Sequence, residues 1–344
     1  MQAVQFDSLG KVRRVLDDDL FRVKPAIYWL DFAASISVAW IAFWLTLPRF
    51  SPGLPARVLW FAISILGFYR ALFFVHELIH LRAEKLRTFR WVWNAVCGSM
   101  FFLPEFTYLI HNSHHLTATF STNDDPEYVP LAYQRPFELL APFIIFPFAP
   151  LLMMLRFLVA APLSWIIGGR FREGLLRYAS SLKMNPKFEW KNISADDRRL
   201  AVIQEAGCLI WWSLFAAVAF ATGELRIIVH WYIVFYCILT VNHVRSMVAH
   251  GYTNVTGERV THEEQLLDSV TITGFSPIAI VLAPVGLRYH SLHHLFPTLP
   301  YHSLGKAHKC LVEALPPDHA YRKTLVPNLG TAFRAFLKAR VHEP

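Results

Sequence analysis

Histidine is the residue type in this chain whose spacing most clearly points to chemistry. Of the 16 histidines, eight fall in three short clusters. Positions three or four residues apart share one face of a helix, so each cluster can aim its imidazoles at a common point. The clusters are His76 and His80; His111, His114 and His115; and His290, His293 and His294.

Neutral imidazole is a good ligand for iron, zinc, copper or nickel. Eight such ligands are too many for one ion, so the clusters predict two metal ions. A ninth candidate ligand is His250, which follows the last long apolar run. Lone histidines usually make ordinary structural contacts. We therefore leave His243 unassigned and predict structural or surface roles for His230, His262, His302, His308, His319 and His342.

Carboxylates are scarce near the clusters. Glu77 lies inside the first cluster, and the pair Asp124 and Asp125 follows the second. Ligating histidines commonly donate their other N–H group to a carboxylate, so we predict that these acids orient ligand imidazoles. An ordinary acid at a membrane interface is the alternative interpretation of Glu77.

The composition predicts an all-α integral membrane protein. Hydrophobic residues make up 54% of the chain and charged residues only 17%, below the roughly 25% of soluble domains. The formal net charge is +8, but the basic residues lie in loops beside apolar runs, which favours membrane orientation and excludes nucleic-acid binding. The four cysteines are far apart, so neither a disulfide framework nor a thiolate metal site is indicated.

About four apolar runs are long enough to cross a bilayer of about 30 Å, at about 1.5 Å per residue. The first begins only after residue 25, too late for a cleaved signal peptide, so we expect it to remain as an anchor. The predicted transmembrane helices are 26–47, 58–75, 206–222 and 225–241.

Residues 139–167 form a further apolar stretch with several prolines. A helix of that length would reach about 44 Å, too long for one upright span and too short for two. Basic residues cluster before the first span, at 82–90 and at 170–199, and should all be cytoplasmic. The stretch would then enter and leave the membrane on the same, cytoplasmic side. We predict an interfacial or re-entrant helical pair, with a tilted short hairpin as the alternative.

This topology predicts one domain over residues 1–344. A cytoplasmic segment, 1–25, precedes the first span, and a cytoplasmic region, 250–344, follows the last. All three histidine clusters then lie on the cytoplasmic side and form a histidine-lined cap. Such a site fits a bacterial inner membrane or the endoplasmic reticulum.

The three clusters resemble the histidine boxes of the membrane fatty acid desaturase superfamily. The matching motifs are HELIH at 76–80, HNSHH at 111–115 and HSLHHLFP at 290–297, with DDPEY after the second and GLRYH leading into the third. The resemblance spans roughly residues 60 to 310. It implies a cytoplasmic non-haem di-iron centre on four transmembrane helices. It also implies that O2 and two external electrons remove two hydrogens from an unactivated acyl chain.

The resemblance also implies residue roles. The eight box histidines would bind two non-haem iron ions, and His250 matches the additional histidine that many members place after their last helix. Some acyl-CoA desaturases have an asparagine four residues before that histidine, acting through water. Ser246 stands there in this chain, which puts that contact in doubt.

The expected partners follow from the same resemblance. The substrate would be an acyl lipid, acyl-CoA or acyl-carrier conjugate. No cytochrome b5 segment or nucleotide-binding motif is visible, so electrons would come from a separate ferredoxin, cytochrome b5 or rubredoxin-like donor and its reductase. Arg70, inside the second span, could bind a substrate headgroup or simply extend to the interface.

Rival interpretations remain open. Residues 76–80 also read as HExxH, a zinc-protease motif, but that leaves the other two clusters unexplained. A metal transporter would distribute its ligands along a pathway at the membrane midplane. Acyl or alkane hydroxylases and carotenoid hydroxylases or ketolases share the three boxes and differ only in whether oxygen is inserted. The LFPxxPYH continuation at 295–302 favours a desaturase among these.

Overall fold

The computed structural model describes residues 9–51, 53–81, 84–131, 134–252, 254–274 and 276–339, which are mostly helical. The helices are α1 (Leu9–Arg14), α2 (Pro25–Leu45), α3 (Leu54–Leu72), α4 (Phe74–His80), α5 (Arg87–Trp93), α6 (His111–His114), α7 (Pro136–Ile145), α8 (Ala149–Met154), α9 (Ala161–Ile167), α10 (Gly169–Ala179), α11 (Ala195–Ala221), α12 (Arg226–Ser246), α13 (His262–Asp268), α14 (Pro277–Leu282), α15 (His290–Leu295), α16 (Tyr301–Ala314), α17 (Ala320–Lys323) and α18 (Leu329–Ala339). Two short strands, β1 (Thr271–Ile272) and β2 (Leu325–Val326), pair in parallel.

Five helical stretches of the described chain are long and apolar enough to cross a membrane, which confirms the prediction of an all-α integral membrane protein. They are Pro25–Leu45, Leu54–His80, Phe137–Ile167, Ala195–Ala221 and Arg226–Ser246. Four of them contain the four predicted spans, apart from one or two residues at some of the ends. The α11 helix begins earlier than its apolar run because Ser194 and Asp197 cap its first turn reciprocally.

The fifth stretch is the one for which the sequence predicts an interfacial or re-entrant helical pair. Residues Phe137–Ile167 form one helical stretch of 31 residues, which by length and composition is a fifth candidate span. The re-entrant arrangement stays a prediction. The prolines bend this stretch without ending it, because three of them lie at the start of a short helical segment, where proline is tolerated. A 3-10 turn at Phe146–Phe148 and a π turn at Leu155–Ala160 join these segments.

The chain divides into two compact units, each discontinuous in sequence. Unit 1 contains Met1–Lys24, Ser113–Arg135 and His243–Pro344, and unit 2 contains Pro25–Asn112 and Pro136–Asn242. The prediction of a single domain over 1–344 stays a prediction. His342 lies outside the described residues.

Within unit 2, α2 and α3 pack with their backbones in close approach. A Cβ atom added to Gly67 would lie 2.9 Å from the Cβ of Ala39. Near the same contact, Nε of Arg70 donates to Oδ1 of Asp31 at 2.8 Å, and Nη2 donates to Oδ2. Each span therefore supplies one charge to an ion pair that neither sequence segment reveals alone.

A second buried ion-pair network joins α11 to the helices before it in unit 2. Glu205 accepts hydrogen bonds from Arg156 at 2.6 Å, from Arg172 at 2.7 Å and from the indole of Trp165 at 3.0 Å. A fully buried carboxylate is stable only when it is paired in this way. The network therefore fixes the end of the Phe137–Ile167 stretch against α11.

Unit 1 has its own apolar core. Leu292 of α15 and Phe296, which follows that helix, pack with Leu304 and Leu311 of α16, and Leu266 of α13 joins the same cluster. Because α13 and α15 share this core, the polar side chains on their other faces are held at fixed positions.

Candidate metal centre

Four of the nine predicted ligands come together inside unit 1. One imidazole nitrogen from each of His114, His250, His290 and His294 lies within 4.8 Å of the others. Nε2 of His250 is 3.1 Å from Nε2 of His114 and 2.8 Å from Nε2 of His290. His294 and His290 are 3.2 Å apart through their Nε2 atoms. We call these residues the four-histidine cluster.

Local structure explains how these side chains converge. His290 and His294 stand four residues apart on α15, so they share one helix face, as the spacing predicts. His114 is the last residue of α6. His250 follows α12 and forms an isolated bridge with Ser269, just after α13.

Asp125 orients His114. Nδ1 of His114 lies 2.9 Å from Oδ2 of Asp125, and both side chains are buried. The backbone N–H groups of Ser121 and Glu127 donate to the same carboxylate at 2.8 and 2.9 Å. Burial alone would raise the pKa of Asp125, but its charge contact and hydrogen bond with His114 lower it overall. His114 and the two backbone donors therefore hold the carboxylate in a fixed position.

Asp268 makes a close ion-pair contact with His250. Its Oδ2 lies 3.2 Å from Nδ1 of His250, and its Oδ1 accepts a hydrogen bond from the hydroxyl of Tyr128 at 3.2 Å. Tyr128 in turn accepts from the backbone N–H of Asn254. Sequence reasoning missed Asp268. The signal that was available is the capping box at Thr261 and Glu264, which predicts the start of the helix that ends at Asp268.

This donor set fits a divalent cation. If Nδ1 of His114 and of His250 each donates to its carboxylate, both Nε2 atoms carry lone pairs. Two lone pairs 3.1 Å apart repel each other unless a positive charge lies between them. Four neutral imidazoles and a divalent ion carry two positive charges, which the carboxylates of Asp125 and Asp268 would balance.

Three further predicted ligands come together inside unit 2. His76 and His80 lie on α4, and His111 begins α6. The ring centroids of His111 are 4.7 Å from His76 and 5.0 Å from His80. Arg90 secures the end of α4 by donating to the carbonyl oxygen of Leu78 at 2.8 Å. We call these residues the three-histidine cluster.

Glu77 contacts a tyrosine of α2. Its Oε2 accepts a hydrogen bond from the hydroxyl of Tyr28 at 2.6 Å, and both side chains are buried. On a helix, Glu77 is rotated by about 100° from His76, whereas His80 returns to nearly the same direction. The bond with Tyr28 favours a positioning role over that of a protease general base. The predicted orientation of a ligand imidazole stays a prediction.

The remaining two predicted ligands, His115 and His293, form a pair in unit 1. Their Nε2 atoms are 3.2 Å apart. Asp124 is exposed, and its backbone N–H bonds to Thr122. Its neighbour Asp125 is the acid that contacts His114.

Two other predicted site residues have different surroundings from those expected. The Oγ of Ser246 accepts from Arg245 at 3.3 Å, and its carbonyl oxygen accepts from Tyr252 at 2.6 Å. Arg70 is engaged by Asp31, which accounts for its position in the span without a substrate headgroup.

Four of the scattered histidines make structural contacts, and His262 is exposed. His302 accepts from the backbone N–H of Lys24, and His308 bonds to the hydroxyl of Tyr321 at 2.7 Å. His230 bonds to Thr46 at 2.8 Å, and His319 caps α17.

Comparison with known proteins places these clusters in a family. The model of the fatty acid desaturase family matches residues 52–325, which include all nine candidate histidines. The protein belongs to the fatty acid desaturase family. The predicted recognition is thus confirmed, and this membrane protein is an enzyme of the desaturase and hydroxylase superfamily.

A curated relative refines the comparison. The chain is 37% identical over 329 residues to a ceramide hydroxylase of Caulobacter vibrioides (strain NA1000 / CB15N), an alignment that covers 94% of this chain and 92% of the relative. This similarity favours the hydroxylase alternative over the desaturase that the residues after the third box suggested. The zinc-protease and transporter interpretations gain no support.

Proposed function

We propose that this protein is a membrane-bound, O2-dependent hydroxylase that acts on the hydrocarbon part of a ceramide or a closely related lipid. The observation that carries the proposal is the similarity to a ceramide hydroxylase along 94% of the chain. The four-histidine and three-histidine clusters supply the ligand chemistry that such a reaction needs. Desaturation of an acyl chain is the alternative outcome of the same site.

The two clusters are proposed as the principal ligands of two non-haem iron ions, and the family resemblance adds His115 and His293 to the ligand set. When bound, the ions supply the redox chemistry that activates O2 and oxidises an unactivated C–H bond, which side chains alone cannot do. Hydroxylation consumes one O2, two electrons and two protons, and yields one alcohol and one water.

The protein's own residues orient the ligands and limit the access of water. Asp125 and Asp268 hold protons on Nδ1 of His114 and His250, which turns the Nε2 lone pairs inward. The ring of Phe120 lies 5.1 Å from His114 and 5.5 Å from His250, between centroids. Phe120 is buried and gives this side of the cluster an apolar wall.

A neutral lipid substrate agrees with the charges in the spans. Arg70 is already paired with Asp31, so it need not meet an anionic headgroup. Ceramide has no ionised headgroup and would require none. We further propose that the site faces the cytoplasm and takes electrons from a separate ferredoxin, cytochrome b5 or rubredoxin-like donor through its reductase.

The test is oxidation of ceramide by the purified full-length protein in lipid vesicles, with an electron donor and isotopically heavy O2. Mass spectrometry should find a product that has gained one heavy oxygen atom. The His290→Ala variant should form none, whereas His302→Ala, which alters a contact with Lys24, should retain activity. A product that has lost two hydrogens and gained no oxygen would instead establish desaturation.

A further inference from the structure

An uncharged stretch in unit 1 lies directly before the third histidine box. Residues 269–287 contain no lysine, arginine, aspartate, glutamate or histidine. The helix within this stretch, α14, has six residues, and at about 1.5 Å per residue it is far too short to cross a bilayer of about 30 Å. The stretch is therefore apolar without being a transmembrane span.

The apolar side chains of α14 face outward. Ile278 is 64% exposed, Ile280 is 40% exposed and Val281 is 41% exposed. Only Ala279 on this helix is fully buried. Aliphatic side chains side by side on a surface mark an interaction site more often than isolated ones do.

The α18 helix presents a similar apolar edge with cations beside it. Phe333 and Leu337, one turn apart, are 38% and 43% exposed, while Phe336 is buried in unit 1. Arg334 and Lys338 are exposed and follow the two apolar residues in sequence. At about 100° per residue, the cations lie roughly a quarter turn from the apolar pair. This is the arrangement of a helix that lies in a membrane surface.

The strand pairing brings the starts of α14 and α18 to the same place. Strands β1 and β2 are parallel, so both chains leave the ladder at the same end. Beyond the ladder, Thr273 donates to the carbonyl oxygen of Val326 at 2.9 Å, and Gly274 donates to that of Pro327 at 3.0 Å. A Cβ atom on Gly274 would lie 2.1 Å from the oxygen of Pro327, so this close approach requires glycine.

We propose that α14 and α18 together form a lipid-contact patch that lies in the surface of an anionic bilayer. The patch consists of Ile278, Ile280, Val281, Phe333 and Leu337, with Arg334 and Lys338 at its edge. The apolar side chains would enter the boundary between headgroups and acyl chains, while the two cations meet lipid phosphates. Charge complementarity therefore selects an anionic lipid surface as the occupant.

The position of the patch gives it a role in substrate access. The α15 helix, which carries His290 and His294, begins eight residues after α14 ends. A patch held in the membrane surface keeps this helix at the depth from which a lipid chain can reach the histidines. This contact is independent of whether the reaction is hydroxylation or desaturation.

Nitroxide accessibility tests the patch in the full-length protein. Ile278→Cys and Leu337→Cys are made in a Cys237→Ser, Cys310→Ser background, because Cys97 and Cys208 are buried. The labelled proteins are placed in phosphatidylcholine vesicles that contain phosphatidylglycerol. Both labels should relax several-fold more strongly with O2, which concentrates in lipid, than with a water-soluble nickel chelate. Glu313→Cys, at an exposed site on α16, should show the reverse.

Two outcomes would overturn the proposal, and a charge-reversal variant tests the choice of an anionic surface. If the labels at 278 and 337 respond to the nickel chelate as Glu313→Cys does, the patch faces water and the proposal fails. Protection from both reagents, with dipolar broadening between labels, would indicate a second copy of the chain and would also overturn it. Arg334→Glu with Lys338→Glu should reduce the O2 response at 337 in anionic vesicles but not in pure phosphatidylcholine.

Discussion

Oδ2 of Asp268 lies 3.2 Å from Nδ1 of His250 and so determines which nitrogen of that histidine faces the rest of the four-histidine cluster. Asp125 has the same relationship to His114. The two acids come from different parts of unit 1, one in the loop after the second box and one at the end of α13. Both acids therefore support a single site, although only Asp125 follows a histidine box closely in the sequence.

Removing the Asp268 carboxylate should weaken metal binding. Asp268→Ala leaves His250 free to rotate and removes one of the two balancing charges, so iron should pass to a competing chelator about ten- to a hundredfold faster. Asp268→Asn should be intermediate, because the amide oxygen can still accept from Nδ1. Asp124→Ala alters an exposed acid and serves as the control. Equal release rates for Asp268→Ala and Asp124→Ala would contradict this role.

Removing one charge of the ion pair between Asp31 and Arg70 should destabilise the protein more than removing both charges. Arg70→Leu removes the positive charge that balances the Asp31 carboxylate inside a span, at a cost on the order of 2–3 kcal/mol. The double variant Asp31→Leu, Arg70→Leu should recover most of that loss. Thermal unfolding in detergent compares the wild-type protein, the single variants Arg70→Leu and Asp31→Leu, and the double variant. Additive losses in the double variant would show that the two charges act independently.

The close approach of α2 and α3 should not tolerate a larger residue at position 67. Gly67→Ala places a methyl group 2.9 Å from the Cβ of Ala39 and 3.0 Å from its Cα, so the helices must separate. We expect a destabilisation of about 1–3 kcal/mol. Gly174→Ala in α10 meets nothing within 4 Å and should be neutral or slightly stabilising. A neutral Gly67→Ala variant would indicate that these helices pack less tightly than described.

Gly286 should be required for the placement of the third box. Its φ of +74° disfavours other residues, and an added Cβ would lie 2.5 Å from Cδ1 of Leu304. Gly257 has a similar φ of +68° but open space around it. Gly286→Ala should therefore lower both the unfolding temperature and the iron content, whereas Gly257→Ala should show only the smaller backbone effect. If both variants lost unfolding temperature and iron content to a similar extent, the contact with Leu304 would not be the reason that position 286 requires glycine.

Sequence reasoning reached the histidines because their spacing is local. His290 and His294 share a helix face whatever surrounds them, so four-residue spacing alone predicts that they converge. Asp268 could not be assigned in this way. It lies 18 positions after His250 in the chain, and their contact depends on how α13 packs in the core of unit 1.

The same distinction explains what the sequence left open about the spans. Asp31 and Arg70 each look like an isolated charge in an apolar run, and only the pairing of α2 with α3 shows that they neutralise each other. The prolines of the Phe137–Ile167 stretch suggested a break, but 3-10 and π turns allow the helix to continue through them. These adjustments depend on backbone hydrogen bonding and leave no clear signal in residue type.

Metal content per chain tests the central claim most directly. Elemental analysis of the purified full-length protein should find about two iron ions per chain, as two groups of histidine ligands require. His290→Ala and His76→Ala, one from each cluster, should each lower that content, whereas His302→Ala should not. A single zinc ion per chain that is unaffected by His290→Ala would contradict the account.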